Sequence, residues 1–269
     1  MNDVKHDEIR QAVREQYGRV AESEGCGCGP ACCGSTPASA VGLSQGLGYS
    51  AADTLHVPEG SNMGLGCGNP QAIANLKAGE TVLDLGSGGG FDCFLAAKQV
   101  GETGHVIGVD MTHAMISKAR ANAEKGNYRN VEFRLGEIEN LPVANGTADV
   151  IISNCVINLS PNKHRVFTEA FRALKPGGRL AISDVVAFAE LPKEIEQDLA
   201  LFTGCMAGAS PISEVEAMLQ AAGFQQIRIL PKEESKEFIR DWAPGQPVTD
   251  YVVSATIEAI KPSACPTLT

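Results

Sequence analysis

The stretch Thr81-Val82-Leu83-Asp84-Leu85-Gly86-Ser87-Gly88-Gly89-Gly90-Phe91-Asp92 constrains this chain more than any other. A short apolar run with one acid inside it meets a glycine loop, and Cys93-Phe94-Leu95-Ala96-Ala97 follows as the start of a helix. Strand, tight turn and helix in that order make the first unit of a nucleotide-binding α/β sheet. Glycines at 86, 88 and 90 leave the turn without β-carbons, so a ligand can lie against the backbone at the helix N-terminus. A dinucleotide fingerprint would also need a small residue at position 91 for close helix–strand packing. Phe91 stands there and weighs against a pyrophosphate.

The next unit adds an acid in a useful place. Gly104 to Asp110 reads as a second buried strand ending in a carboxylate, which suits two hydrogen bonds to a ribose diol. Further strands are expected at Val131–Leu135, Ala148–Cys155 and Arg179–Asp184, the last entered through Pro176-Gly177-Gly178, with Asp184 at its end. Helices are expected at Met115–Lys125 and His164–Leu174. Alternation with short loops predicts a parallel sheet covered on both faces, and ligands collect at the carboxyl ends of such strands. Gly86, Asp110, Glu137 and Asn154 fall on that edge. Glu137 and Ile138, just after the third strand, suit the polar edge and apolar face of an adenine.

The flanks depart from simple alternation. Residues Asp3 to Ala21 carry Ile9, Val13, Tyr17 and Val20 at helical spacing. Gly25 to Pro37 is too rich in glycine and proline for a regular element and bears Cys26, Cys28, Cys32 and Cys33. Ser44 to Ser61 reads as irregular, and Asn62 to Pro70 as a glycine-rich turn before a short helix at Gln71–Asn75. Beyond Asp184 come a helical insertion from Leu191 to Gly208 with Cys205, a helix from Ser213 to Ala222, and strands at Phe224–Leu230 and Tyr251–Ile257. These last strands are expected to complete a seven-stranded sheet as an antiparallel edge. The chain divides accordingly into an N-terminal helix with a cysteine-rich extension (1–75), a nucleotide-binding core (76–184), and a closing segment with an insertion and a tail (185–269).

Composition narrows the partners. A formal charge of −10 with no basic run argues against a nucleic-acid surface. No apolar run approaches a membrane span and no basic-then-apolar leader opens the chain, so a cytoplasmic protein is expected. Nine cysteines, several of them clustered, point in a reducing compartment to soft-metal binding or redox chemistry before structural disulfides.

Asp84 ahead of the glycine loop, Asp110 after the second strand, and the Lys175-Pro176-Gly177-Gly178 turn before the fifth strand together resemble the class I methyltransferases that use S-adenosylmethionine. The resemblance covers roughly residues 70 to 230. A narrower one follows from Asn62-Met63-Gly64-Leu65-Gly66-Cys67-Gly68-Asn69-Pro70, Gly108-Val109-Asp110-Met111-Thr112, Ser153-Asn154-Cys155-Val156-Ile157-Asn158-Leu159 and Gly204-Cys205-Met206-Ala207-Gly208. These segments are similar to the arsenite methyltransferases. That resemblance implies Asp84, Gly86, Ser87, Gly88, Asp110, Met111, Glu137, Ile138 and Asn154 around the cofactor. It also implies trivalent arsenic held by thiolates of Cys67, Cys155 and Cys205, with Cys32 or Cys33 as a further thiol. Sulfur suits a soft, three-coordinate centre whose lone pair stays free to attack. Methylation leaves arsenic pentavalent, so two thiols must supply electrons by closing a disulfide that thioredoxin or glutathione reopens. In this scheme Cys155 and Cys205 hold arsenic while Cys33 and Cys67 serve as third ligand and disulfide pair. Leu65 and Gly204 stand where some relatives carry an aromatic residue and an acid, so no role is transferred to them.

Other readings of single residues accompany this one. Cys26, Cys28, Cys32 and Cys33 could form a structural zinc site, although the spacing is not paired C-x-x-C. Cys93 reads as a small buried residue, His113 and His164 as surface or capping residues, and Phe238 with Trp242 as core packing. The alternatives for the whole chain are a methyltransferase of a small organic acceptor with structural cysteines, and a metalloid binder that retains the sheet without turnover.

Overall fold

The structure, a computed structural model, describes residues 2–23 and 39–263. Strands β1 (Thr81–Leu85), β2 (His105–Asp110), β3 (Val131–Leu135), β4 (Ala148–Asn154), β5 (Leu174–Ala187), β6 (Gln225–Lys232) and β7 (Val252–Ile260) form one sheet in the order β3-β2-β1-β4-β5-β7-β6. The chain thus folds as the class I methyltransferase sheet expected from sequence. Central strands such as β1 are apolar on both faces because each face meets helices. Leu83, Leu85 and Ile151 point into one core with Val166, Phe167 and Leu219. Val82, Val150 and Ile152 point into the other with Phe94, Ala97 and Ile116.

The helices behind those side chains are α5 (Phe91–Val100), α6 (His113–Lys125), α7 (Lys163–Ala173) and α10 (Ile212–Ala222). Ahead of them come α1 (Asn2–Glu22), α2 (Ala40–Gly46), α3 (Ala51–Leu55) and α4 (Gln71–Ala74), and α8 (Lys193–Glu196), α9 (Leu199–Thr203) and α11 (Lys236–Trp242) complete the set. No described helix is long and apolar enough to cross a membrane.

Three local expectations are corrected. The antiparallel strand is not the edge: β7 pairs antiparallel with both β5 and β6 and lies between them, leaving β6 outermost. The crossover through α10 leaves a gap one strand wide, and β7 fills it on the way back from β6. The fifth strand does not stop at Asp184 but continues through Val185, Val186 and Ala187, because β7 supplies partners from Arg179 through Ala187. Ser44 to Ser61 is not irregular throughout, since it holds the end of α2 and all of α3. Those helices are seven and five residues long, too short for an apolar period, and their signal lies in the caps. Ser39 accepts from Gly42, and Ser50 with Asp53 closes a capping box.

A third apolar cluster sits off the carboxyl end of the sheet and gathers Val13, Cys67, Cys155, Leu201, Cys205, Ile239 and Val252. Three of its members are cysteines from three distant parts of the chain.

Candidate active site

A cavity of about 470 Å3 opens at the carboxyl ends of β1, β2 and β4. Its floor is the glycine loop, and that loop needs its glycines for space as well as backbone freedom. Gly86 has φ 73, and a Cβ there would lie 2.4 Å from Val156 Cγ2. Asp110 fastens the loop from the side, accepting from Gly88 N at 3.0 Å and Thr112 N at 2.8 Å. Burial pushes its carboxyl up while these two bonds oppose the shift.

The cavity also carries unmet polarity and negative charge. Ser87 Oγ and Asn62 Nδ2 are buried, line it, and have no hydrogen-bond partner within the described residues. Asp84 and Asp92 line it too; burial first and the neighbouring Asp92 second push Asp84 well above the usual carboxylate range. Orphaned buried groups call for a ligand, and two buried acids favour a cation. An adenosyl group carrying an ammonium and a sulfonium fits this set.

The thiols stand opposite. Cys155 follows β4 directly and Cys205 follows α9, and both line the cavity. Both hold left-handed backbone conformations, φ 60 and φ 64, which are strained for residues with a β-carbon and cost on the order of 1 kcal/mol each. Cys205 Sγ donates to Cys155 O at 2.8 Å, tying the two turns together. Cys67 does not line the cavity but lies behind Cys155. Its Sγ, Cys155 Sγ and a carboxylate oxygen of Asp184 all fall within 4.8 Å of one another.

The Gly66–Gly68 turn is pressed onto the sheet to bring Cys67 there. Cys67 N donates to Asn154 Oδ1 at 3.0 Å, and Ser254 Oγ donates to Cys67 O at 2.6 Å. A Cβ on Gly66 would lie 2.7 Å from Asn154 Nδ2, and one on Gly68 would lie 2.9 Å from Ser183 Oγ. Cys155 and Cys67 are held in the protonated form. Hydrogen bonds with Cys205 and Cys67, then burial, push Cys155 well up, and burial pushes Cys67 up.

Asp184 sits inside β5 and accepts from Ile157 N at 2.9 Å, Asn158 Nδ2 at 2.9 Å and Val185 N at 2.8 Å. Burial outweighs those bonds and raises it to about 6. Nearby, Lys163 Nζ donates to Ser210 Oγ at 2.7 Å and to Gly208 O, and burial holds its pKa down to about 8. Between about 8 and 10.5 the unfolded chain therefore binds this proton more tightly than the folded one, so stability rises with pH across that window. Below it the buried charge costs at most about 3 kcal/mol. The advantage of Lys163→Met over the wild type in urea unfolding is expected to shrink by up to that amount from pH 7 to 10.5.

Helix α1 roofs the cavity with Arg10, Val13, Gln16, Tyr17 and Val20. Glu137, expected at the adenine, is turned away from the cavity: Arg14 holds one oxygen and Arg10 Nε lies 3.6 Å from the other. Ile138 and Glu139 line the cavity instead, next to Met111 and Asn154. Tyr17, part of the apolar face of α1, donates from its phenol to Thr203 O at 3.2 Å. Burial and the nearby Cys205 and Cys155 keep that phenol protonated. Trp242 packs on Phe238 at 5.4 Å between ring centroids, as expected, and also forms cavity wall.

Tyr49 and Asp92 were missed by sequence reasoning, although Asp92 closes the glycine motif and could have been noticed there. Cys93 is buried as expected, with its Sγ donating to Asp84 at 3.2 Å. His113 and His164 are exposed. Cys26, Cys28, Cys32, Cys33 and Cys265 lie outside the described residues.

Comparison with known proteins adds the following. Residues 76–223 match a family described as a methyltransferase domain. An arsenite methyltransferase of Halobacterium salinarum is 54% identical over 271 residues, spanning 97% of this chain and 68% of that protein. One from Aquipseudomonas alcaligenes is 39% identical over 264 residues, spanning 94% and 72%. Among solved structures, an arsenic(III) S-adenosylmethionine methyltransferase from Chlamydomonas reinhardtii superposes with a TM-score of 0.60 at 32% identity, covering 85% of this chain and 75% of that one.

Proposed function

The chain belongs to the arsenite methyltransferases, S-adenosylmethionine-dependent enzymes, and from that premise we propose that Cys155 and Cys205 hold trivalent arsenic in the cavity while Cys67 stands behind them. The observation that carries this division is that two of the three thiols share one cavity with the glycine loop and Asp110, whereas Cys67 lies outside it. Bound at the glycine loop, with Asp110, Ser87 and Ile138 around its adenosyl part, the cofactor supplies an electrophilic methyl on a cationic sulfur.

Everything else falls to this chain's own side chains. As each arsenic–sulfur bond forms, the thiol proton leaves with an arsenic hydroxyl as water, so no separate base is consumed. Sulfur ligands leave the arsenic lone pair free, and the two cavity thiols aim it across the cavity; positioning of that kind accounts for large rate factors. Burial around Cys67, Cys155 and Cys205 keeps water from competing for the sites.

Methylated arsenic is formally pentavalent, and its return to the trivalent state takes two electrons. Cys67 with one thiol of the Cys32-Cys33 pair supplies them by closing a disulfide and releasing two protons. A dithiol reductant of the thioredoxin type, or glutathione, reopens it.

Arsenic speciation by liquid chromatography with elemental mass spectrometry tests the division of roles. Cys67→Ser is expected to lower arsenite methylation by about tenfold or more, in line with the loss of one ligand. Methylation of a monomethylated trivalent arsenical, which needs only two sulfurs, is expected to persist. Equal losses on both substrates would remove the distinction between Cys67 and the cavity pair.

A further inference from the structure

Tyr49 is buried at the side of the cavity, between the acid that ends the glycine motif and the residue that holds Cys67. Its phenol donates to Asp92 Oδ1 at 2.8 Å, with Oδ2 at 3.0 Å. It accepts in turn from Asn154 Nδ2 at 3.0 Å. The other end of the same amide, Asn154 Oδ1, accepts from Cys67 N at 3.0 Å, and Nδ2 also donates to Gly68 O at 2.9 Å. The relay from Cys67 N–H through Asn154 and Tyr49 to Asp92 has one direction, and its links through Tyr49 are shorter than the direct 3.5 Å contact of Asn154 Nδ2 with Asp92 Oδ2. Burial and the adjacent Asp92 keep the phenol protonated, so its donor role is fixed.

We propose that Tyr49 is a positioning residue that couples occupancy of the cofactor site to the placement of Cys67, so that cofactor and arsenite bind cooperatively. The inference rests on the placement of the two ligands proposed above. Asp92 faces Tyr49, Gln71, Asn154 and the second acid Asp84, with no cation among these neighbours. A positive charge brought into the cavity beside the two acids favours the ionised form of Asp92, the form that accepts from Tyr49 most strongly. That tightens the hold of Tyr49 on Asn154, and of Asn154 on the Gly66–Gly68 turn.

The turn is the element able to respond. Gly64 and Gly66 both sit at positive φ, 67 and 130, and released from Asn154 they have more backbone freedom than any other residue type. A turn already ordered by one ligand costs less to order for the other, which is cooperativity.

The test uses the cationic, non-transferring cofactor analogue sinefungin and arsenite, with two readouts apart from turnover. Calorimetry gives the arsenite Kd with and without saturating sinefungin. Trp242, the one tryptophan of the chain and part of the cavity wall, reports the sinefungin Kd with and without arsenite by fluorescence. In the wild type each ligand is expected to tighten the other by the same factor, about fivefold or more, because linkage is reciprocal. Tyr49→Phe removes the hydroxyl and keeps the ring, which packs on Phe91 at 4.9 Å. Both ligands are expected to bind it with a factor of one, as they are to Asn154→Ser, which cuts the next link. A factor of one in the wild type overturns the proposal, and a factor that persists in Tyr49→Phe overturns the role of Tyr49. Undiminished arsenite binding to Cys155→Ser would instead overturn the underlying site, and is distinguishable from both.

Discussion

Cys155→Ser is expected to abolish methylation of arsenite, with initial rates down by at least about 100-fold, the loss that a misplaced reacting centre alone produces. Serine matches the size of cysteine, so the turn at φ 60 is retained. What is lost is a soft ligand: a hydroxyl is hard, stays protonated, and forms no comparably durable bond to trivalent arsenic. Cys155 also receives the Cys205 thiol on its carbonyl, an interaction that the substitution leaves in place because it uses backbone. Cys205→Ser is expected to give the same loss. Speciation of the arsenic products measures the rate, and titration of Trp242 fluorescence with S-adenosylhomocysteine shows whether the cofactor side is intact. Turnover within tenfold of the wild type, with that titration unchanged, would mean that arsenic is not held at Cys155 and would favour an organic acceptor.

Asp110→Ala is expected to leave arsenite binding in place and to weaken S-adenosylhomocysteine by about 100-fold. The carboxylate does two things at once. It accepts from Gly88 N and Thr112 N, which fixes the glycine loop, and it stands at the end of β2 where a ribose diol can reach it. A hydrogen bond to a charged group contributes about 1.5–3 kcal/mol, and about 2.7 kcal/mol corresponds to the stated factor. Calorimetry with S-adenosylhomocysteine and, separately, with arsenite checks both halves. A shift of threefold or less would place the ribose elsewhere in the cavity.

The features behind these two predictions differ in how they are written into the chain. The glycine loop and Asp110 were legible in the sequence because they are local. Strand, turn and helix follow one another within about thirty residues, and backbone conformation at a glycine depends on the glycine itself. The cysteines after β4 and in the insertion were legible through that frame, since parallel strands deliver their ends to one edge. Glu137, expected at the adenine, is not among the residues lining the cavity, and the reason lies outside any local window: the arginine that holds it is Arg14, 123 residues earlier.

The sequence by itself therefore determined the sheet, the glycine loop at its carboxyl edge, the acid beside that loop and the placement of Cys155 and Cys205 near it. Tertiary structure decided what surrounds them. It put Tyr17 over Thr203 across 186 residues and bound the carbonyl of Cys67 to Ser254 across 187. It inserted β7 between β5 and β6, and it joined Tyr49 to Asn154. Strands and glycine turns are selected by short-range sterics and hydrophobic period. A cavity wall is selected by whichever distant surfaces bury each other best, and no single stretch of this chain encodes that choice.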